Sequence, residues 1–170
     1  MKLTIVINGA GGVGKDTMCE FAAEEYAVTN VSSIDPVKQA ARILGWDAQK
    51  DLKSRKFLAD MKQLCVEYND WPTKYLVAKH EEFLGGSDEI MFVHIREGKE
   101  IAHFVESVGG DAITLLVRRS SNDVVYGNSS DDDVENYNYD YIYNNDRPLD
   151  EAKADFIGFL SQILQERSGK

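Results

Sequence analysis

The chain has 170 residues, with 19 Lys and Arg against 29 Asp and Glu and a net charge of −10. That length suits one domain with a sizeable core, burying roughly 70% of the surface its unfolded chain exposes. The acidic balance argues against a broad nucleic-acid-binding face while allowing a small anion held locally, and no apolar run approaches the ~18 residues of a membrane span. Met1 to Thr4 leads directly into a strand-like run without the features of a secretory leader. Cys19 and Cys65 fall on separate predicted helices, where reduced thiols are the default, so a cytoplasmic protein is expected.

Leu3 to Ile7 is a short apolar run rich in β-branched residues and ended by Asn8-Gly9, the pattern of a strand buried on both faces. A glycine-rich turn follows, then a helix from Lys15 to about Ala27 with Met18, Phe21, Ala22 and Tyr26 at helical spacing. Val28 to Ile34 reads as a weak second strand, and Asp35-Pro36 opens a helix that Gly45 closes. Arg55 to Tyr68 has the clearest helical periodicity in the chain, through Phe57, Leu58, Met61, Leu64, Cys65 and Tyr68. Trp71-Pro72 breaks it, and a further helix runs from about Thr73 to Leu84. Residues 36–84 thus form a helical insertion between two strands. Ile90 to Ile95, Ile113 to Val117 and Tyr139 to Tyr143 read as strands; Lys99 to Val108 and Leu149 to Glu166 read as helices. Alternation of this kind implies an α/β sandwich around a largely parallel sheet, in a single domain over residues 1–170. Between Arg119 and Arg147 the chain carries Asp123, Asp131, Asp132, Asp133, Glu135, Asp140 and Asp146 and no Lys or Arg. Residues 119–138 are expected to be an exposed loop, its acidic run a solvated surface rather than a metal site.

Gly9, Ala10, Gly11, Gly12, Val13, Gly14 and Lys15 match G-x-x-x-x-G-K, the first seven positions of the Walker A pattern, with Asp16 and Thr17 following. Two Gly and one Lys at these offsets arise by chance about 3 times in 10,000 per starting position. A preceding strand and a following amphipathic helix make chance less credible still. Glycines let the backbone wrap closely enough for successive N–H groups to face phosphate oxygens, and the helix presents its positive end to the same anion. Lys15 supplies a mobile charge for the phosphoryl group. Gly9 to Gly14 also satisfies the dinucleotide fingerprint G-x-G-x-x-G, and Asp35 lies near the place of a ribose-binding acid, but the Lys after the last Gly favours a triphosphate. Asp16 stands where the pattern has Ser or Thr. A carboxylate ~5 Å from a phosphate charge is repelled by roughly 3 kcal/mol at an effective dielectric near 20. Asp16 therefore either ligates Mg²⁺, with Thr17 as a nearby hydroxyl ligand, or turns away and supports the first helical turn.

Gly14-Lys15-Asp16-Thr17 resembles the first motif of the deoxynucleoside monophosphate kinases, within the P-loop kinase superfamily. Ser33-Ile34-Asp35-Pro36-Val37-Lys38 is similar to that family's segment after the second strand, and Arg96 with Glu100 to its third motif, in which His94 stands where the family has Asp. The resemblance implies a three-layer P-loop kinase-like sandwich with a five-stranded parallel sheet of order 2-3-1-4-5, a helical acceptor-binding insertion (36–84) and a lid-like loop (118–138). By it, ATP and Mg²⁺ are the cofactors, Lys15 contacts the donor phosphates and Arg96 the acceptor phosphate. Asp35, Lys38, Arg55 and Glu100 join Arg96 as acceptor-side candidates. Arg118 and Arg119 supply the positive charge of a lid whose remainder is acidic. Asn145, after the last strand, lies in the loop that commonly backs the adenine ring. His94 is either a strand-end histidine satisfied by a backbone partner or a contact near the acceptor; His80 and His103 read as structural or exposed.

The leading expectation is an ATP-dependent kinase moving the γ-phosphoryl group to a small phosphorylated acceptor, a ribo- or deoxyribonucleoside monophosphate. Two others stay open: the same donor site serving another small metabolite, and a nucleotide-binding regulatory protein with weak or lost transfer. Neither nucleic acid nor membrane is an expected partner; a homodimer is allowed.

Overall fold

The computed structural model describes residues 2–120 and 134–168. Five parallel strands form one sheet in the order β2-β3-β1-β4-β5: β1 (Leu3–Asn8), β2 (Val28–Ser32), β3 (Ile90–His94), β4 (Ala112–Arg118) and β5 (Tyr141–Asn144). The described helices are α1 (Lys15–Ala23), α2 (Asp35–Ile43), α3 (Leu52–Asn69), α4 (Trp71–Gly85), α5 (Gly98–Ser107) and α6 (Leu149–Ser168). None of them is long and apolar enough to cross a membrane.

Central strands of such a sheet have no polar face, because helices cover both sides. In β1 every residue is buried, and the side chains divide by the two-residue strand period. Leu3, Ile5 and Ile7 join Met18, Cys19 and Ala22 of α1 and Phe156, Leu160 and Ile163 of α6 in one core cluster. Val6 packs on the opposite side with Leu76 and Phe83 of α4 and Ile101 and Phe104 of α5. These are the two interfaces of a three-layer sandwich. Tyr143 and Phe156, with ring centroids 5.0 Å apart at a steep angle, close the first core at the β5 edge.

Several boundaries differ from the sequence reading. The break before α4 lies at Asp70, which takes a left-handed conformation (φ 54°) and ends α3, while Trp71 and Pro72 begin the next helix. Pro72 fits there because the first turn of a helix has no use for its missing N–H. β5 starts at Tyr141, since Tyr139 turns its hydroxyl toward Asn8. Ahead of β5, Asp140 Oδ2 accepts from both the backbone N–H and the hydroxyl of Thr114, each at 2.8 Å, which sets the β4–β5 register. In the segment read as an exposed loop, Val134 is buried at the head of a short 3₁₀ turn, Val134–Asn136; Asp123, Asp131, Asp132 and Asp133 lie outside the described residues. The largest departure is α3: of its 18 residues only Lys62 is buried.

Phe156 has no exposed surface, and its removal leaves a cavity between the sheet and α6. Phe156→Ala is expected to lower unfolding free energy by about 3–5 kcal/mol. Ile142→Ala, on the outward side of β5, should cost under about 1 kcal/mol; urea unfolding measures both.

Candidate functional site

All five strands are parallel, so their carboxyl ends meet at one edge of the sheet, where ligands of open α/β sheets bind. Register places Ile7 beside His94, Asn8 beside Leu116, and Arg118 beside Asn144. The turn after β1 therefore stands between the segments that follow β3 and β4, with the residues after β5 one strand further out.

The turn from Gly9 to Gly14 reverses the chain into α1. Gly9 (φ 152°), Gly12 (φ 79°) and Gly14 (φ 96°) carry the positive-φ conformations of the turn. A Cβ at Gly9 would run into the Val117 carbonyl oxygen, and one at Gly14 would lie 2.6 Å from Asn145 Nδ2. The turn's carbonyl groups are drawn toward protein donors. Lys15 Nζ donates to the carbonyls of Gly9 and of Ala10, the latter at 3.0 Å. Asn145 Nδ2 donates to the Val13 carbonyl at 2.9 Å and the Met18 amide to the Gly14 carbonyl at 3.0 Å. In a planar trans peptide the N–H points opposite to the C=O. Fixing these four carbonyls thus aims the amides of Ala10, Gly11, Gly14 and Lys15 to the other side, beside the positive end of α1: the chemistry of an anion cradle.

Two asparagines hold this turn in place. Asn8 is 1% exposed; its Oδ1 accepts from the Gly9 amide, while its Nδ2 donates to the Arg96 carbonyl at 2.9 Å and to the Tyr139 hydroxyl at 2.8 Å. Tyr139 in turn donates to the Val134 carbonyl at 2.9 Å, and burial pushes its phenol up to about 12. One buried amide thereby ties the turn after β1, the segment after β3 and the segment before β5. Asn145, expected by resemblance near the adenine, has its side chain under the turn and its amide on the Arg118 carbonyl at 2.8 Å. Asn8 was missed by the sequence reading; its only signal was a polar residue ending an apolar strand.

His94 closes β3 among the other candidates. Its Nε2 lies 3.3 Å from Asn30 Oδ1 and 3.9 Å from Cys19 Sγ, so side chains, rather than the backbone partner expected, satisfy it. Burial lowers its pKa and favours the neutral ring; Asp16, Lys15, Asp35 and Lys38 all act on it electrostatically. The same burial pushes the Cys19 thiol up to about 12, far from a reactive thiolate. The field of residues from the head of α1 and from α2 thus reaches the same imidazole. Asp35 also accepts from the Ser32 amide at 2.7 Å, which fixes the start of α2.

Other candidates are placed differently. Glu100 is 2.7 Å from Lys62 Nζ and Glu97 is 2.8 Å from the same ammonium. Burial opposes both charges; with one ammonium between them, Glu97 titrates below and Glu100 above the ordinary glutamate value. This cluster fastens α3 to the head of α5. Arg55, seven residues before Lys62, lies on the same face of α3 and is exposed. Arg118 is held by a forked ion pair to Glu135, with Nε 3.0 Å from both carboxylate oxygens. Arg119 is exposed beside Asp146, which accepts from the Ser120 amide and hydroxyl at 2.7 Å each. His80 is buried against Phe83 and Phe104, and exposed His103 pairs with Asp70 at 2.9 Å. Among the described residues no group of three or more His, Cys, Asp and Glu is arranged to hold a metal.

No protein-family model and no curated protein matches the chain. Among solved structures, a tunicamycin resistance protein from Deinococcus radiodurans superposes with a TM-score of 0.55 at 11% identity, over 95% of this chain and 96% of that one. A candidate kinase from Chloroflexus aurantiacus gives a TM-score of 0.52 at 11% identity, over 97% of both chains. The likeness runs nearly end to end and extends to the sheet order β2-β3-β1-β4-β5; the fold is α/β and P-loop kinase-like.

Proposed function

We propose that the chain is an ATP-dependent kinase that transfers the γ-phosphoryl group to a small phosphorylated acceptor, a ribo- or deoxyribonucleoside monophosphate. The observation that carries this reading is the turn from Gly9 to Thr17: its carbonyls held by Lys15, Asn145 and the Met18 amide, its amides turned outward at the head of α1. The kinase named among the structural neighbours adds support from the fold.

In this reading the turn and Lys15 hold the donor phosphates. The bond between the γ-phosphorus and the oxygen bridging to the β-phosphate breaks as a bond to an acceptor phosphate oxygen forms, giving ADP and a diphosphate. An ionised acceptor phosphate carries no proton at that oxygen, so no general base is needed, and the neutral His94 is compatible with that. The residues supply positioning and charge. Arg96, on the segment that Asn8 fixes against the turn, faces the acceptor phosphate; Asp35, Lys38 and Arg55 take the rest of the acceptor under the helices of residues 36–84. Glu100 acts through Lys62, holding α3 over that edge. Arg118 and Arg119 flank the donor from the end of β4, and Asn145 supports the turn from below.

Magnesium takes hard oxygen ligands, often only one or two from protein with the rest from phosphate and water. Asp16 and Thr17, consecutive at the head of α1, offer a carboxylate and a hydroxyl that would hold it there. Bound with ATP, it neutralises phosphate charge that Lys15 alone does not balance.

The forked Arg118–Glu135 pair supports a second reading, a nucleotide-binding regulatory protein with weak transfer, because it occupies one of two arginines near the donor. Measuring ADP release across ribo- and deoxynucleoside monophosphates, with Mg-ATP binding in parallel, separates the cases. Acceptor-dependent ADP with one of these nucleotides supports the proposal. Turnover only on another metabolite transfers the reading to that acceptor, and binding without release supports the regulator. Lys15→Ala should reduce kcat/KM by about 10²–10³ or more with the melting temperature unchanged; unaltered turnover would remove Lys15 from the mechanism. Arg96→Ala should raise the acceptor KM at least about tenfold while leaving Mg-ATP binding intact, and equal loss of both would show Arg96 to be structural.

A further inference from the structure

The helix with the clearest apolar periodicity in the chain half-buries Leu58, Met61 and Cys65 and leaves Phe57, Leu64 and Tyr68 exposed. Phe57, Met61, Leu64 and Tyr68 follow one another at spacings of four, three and four, the seam pattern of packed helix pairs. Phe57 is 37%, Leu64 65% and Tyr68 86% exposed, and Trp71, just past the end of the stripe, is 49% exposed. The inward side of α3 is marked by Lys62, which reaches Glu97 and Glu100 on α5. At 3.6 residues per turn the stripe lies roughly 100–160° round the helix from Lys62, so it faces neither the sheet edge nor the acceptor side of the site.

The size and charge of this face suit a second copy. The exposed portions of Phe57, Leu64 and Tyr68 amount to roughly 400 Å² of mostly carbon surface. A stable interface buries about 800 Å² per partner, somewhat more than half of it apolar, so the stripe supplies most of the apolar share. Lys53, Lys56, Asp60 and Glu67 lie along one flank, with the lysines toward the amino end and Glu67 toward the carboxyl end. Two copies crossing antiparallel bring like flanks together, and Lys53 and Lys56 of each then face Glu67 of the other. A parallel crossing in register loses that match.

We propose that the chain forms a two-fold dimer through antiparallel packing of α3 on α3, centred between Met61 and Leu64. Phe57 of one copy then meets Tyr68 of the other, and Met61 meets Leu64, an isologous arrangement that closes on itself. The Lys56–Asp60 pair within one helix is exposed and easily exchanged. This inference is independent of the proposed activity, since it concerns the side of α3 opposite the site.

Sedimentation and light scattering on the full chain at tens of micromolar should give twice the chain mass, shifting toward the monomer on dilution. Leu64→Glu, at a position exposed in the single chain, should weaken association by about 30-fold or more with the far-ultraviolet circular dichroism unchanged. Lys56→Glu should weaken it several-fold, and Lys56→Glu combined with Glu67→Lys should restore it. A wild-type chain that is monomeric at every concentration overturns the proposal. So does a dimer that survives Leu64→Glu. A dimer lost in Leu64→Glu but indifferent to both charge variants overturns the antiparallel arrangement.

Discussion

A backbone turn that is to cradle an anion must keep its carbonyl oxygens away from it, and the residues near the amino end of this chain meet that condition. A carbonyl facing a phosphate repels it, and a buried carbonyl without a donor is costly. The turn between β1 and α1 meets both conditions through Lys15, the Met18 amide and Asn145, the last reaching across from beyond β5. Asn8 does the complementary work at the turn's entrance, where its buried amide ties Gly9 to the Arg96 and Tyr139 segments. The resulting shape follows from hydrogen-bond satisfaction together with the glycines at positive φ.

The parallel sheet gathers charge that the composition disperses. Although the chain is acidic overall, with a net charge of −10, Lys15 and Lys38 as well as Asp16 and Asp35 act electrostatically on His94 at the end of β3. Arg118 and Arg119 follow from the end of β4. Local fields decide where a small anion binds, while the net charge governs encounters with large polyanions. The buried His94, its neutral form favoured, adds hydrogen-bonding capacity without adding charge, and Asp16 and Asp35 act on it together with Lys15 and Lys38.

α3 presents two unlike sides. Its inner side is joined to α5 through the ammonium of Lys62 and the carboxylates of Glu97 and Glu100, a cluster that would leave costly buried charge if Lys62 were removed. Its outer side carries the apolar stripe. Holding α3 by a geometrically exacting ionic contact, rather than by a greasy one that can slide, orients the stripe as well as the edge of the acceptor side.

Much was legible in the linear chain where the interactions are local. The spacing of glycines and Lys15 marked a tight turn between the first strand and the first helix, and the alternation of short apolar runs with helical periods marked the α/β order, because both patterns arise from contacts within a few residues. What the chain alone left undecided rests on contacts across the fold. The roles of Asn8 and Asn145 depend on partners 88 to 132 residues away, and the capture of Glu100 depends on a lysine from another helix. Periodicity showed that α3 has an apolar face without showing what lies against it, since a helical pattern records which residues share a side and carries no information about where that side points. Only packing of the whole chain divided that face, half-burying Leu58, Met61 and Cys65 and leaving Phe57, Leu64 and Tyr68 exposed.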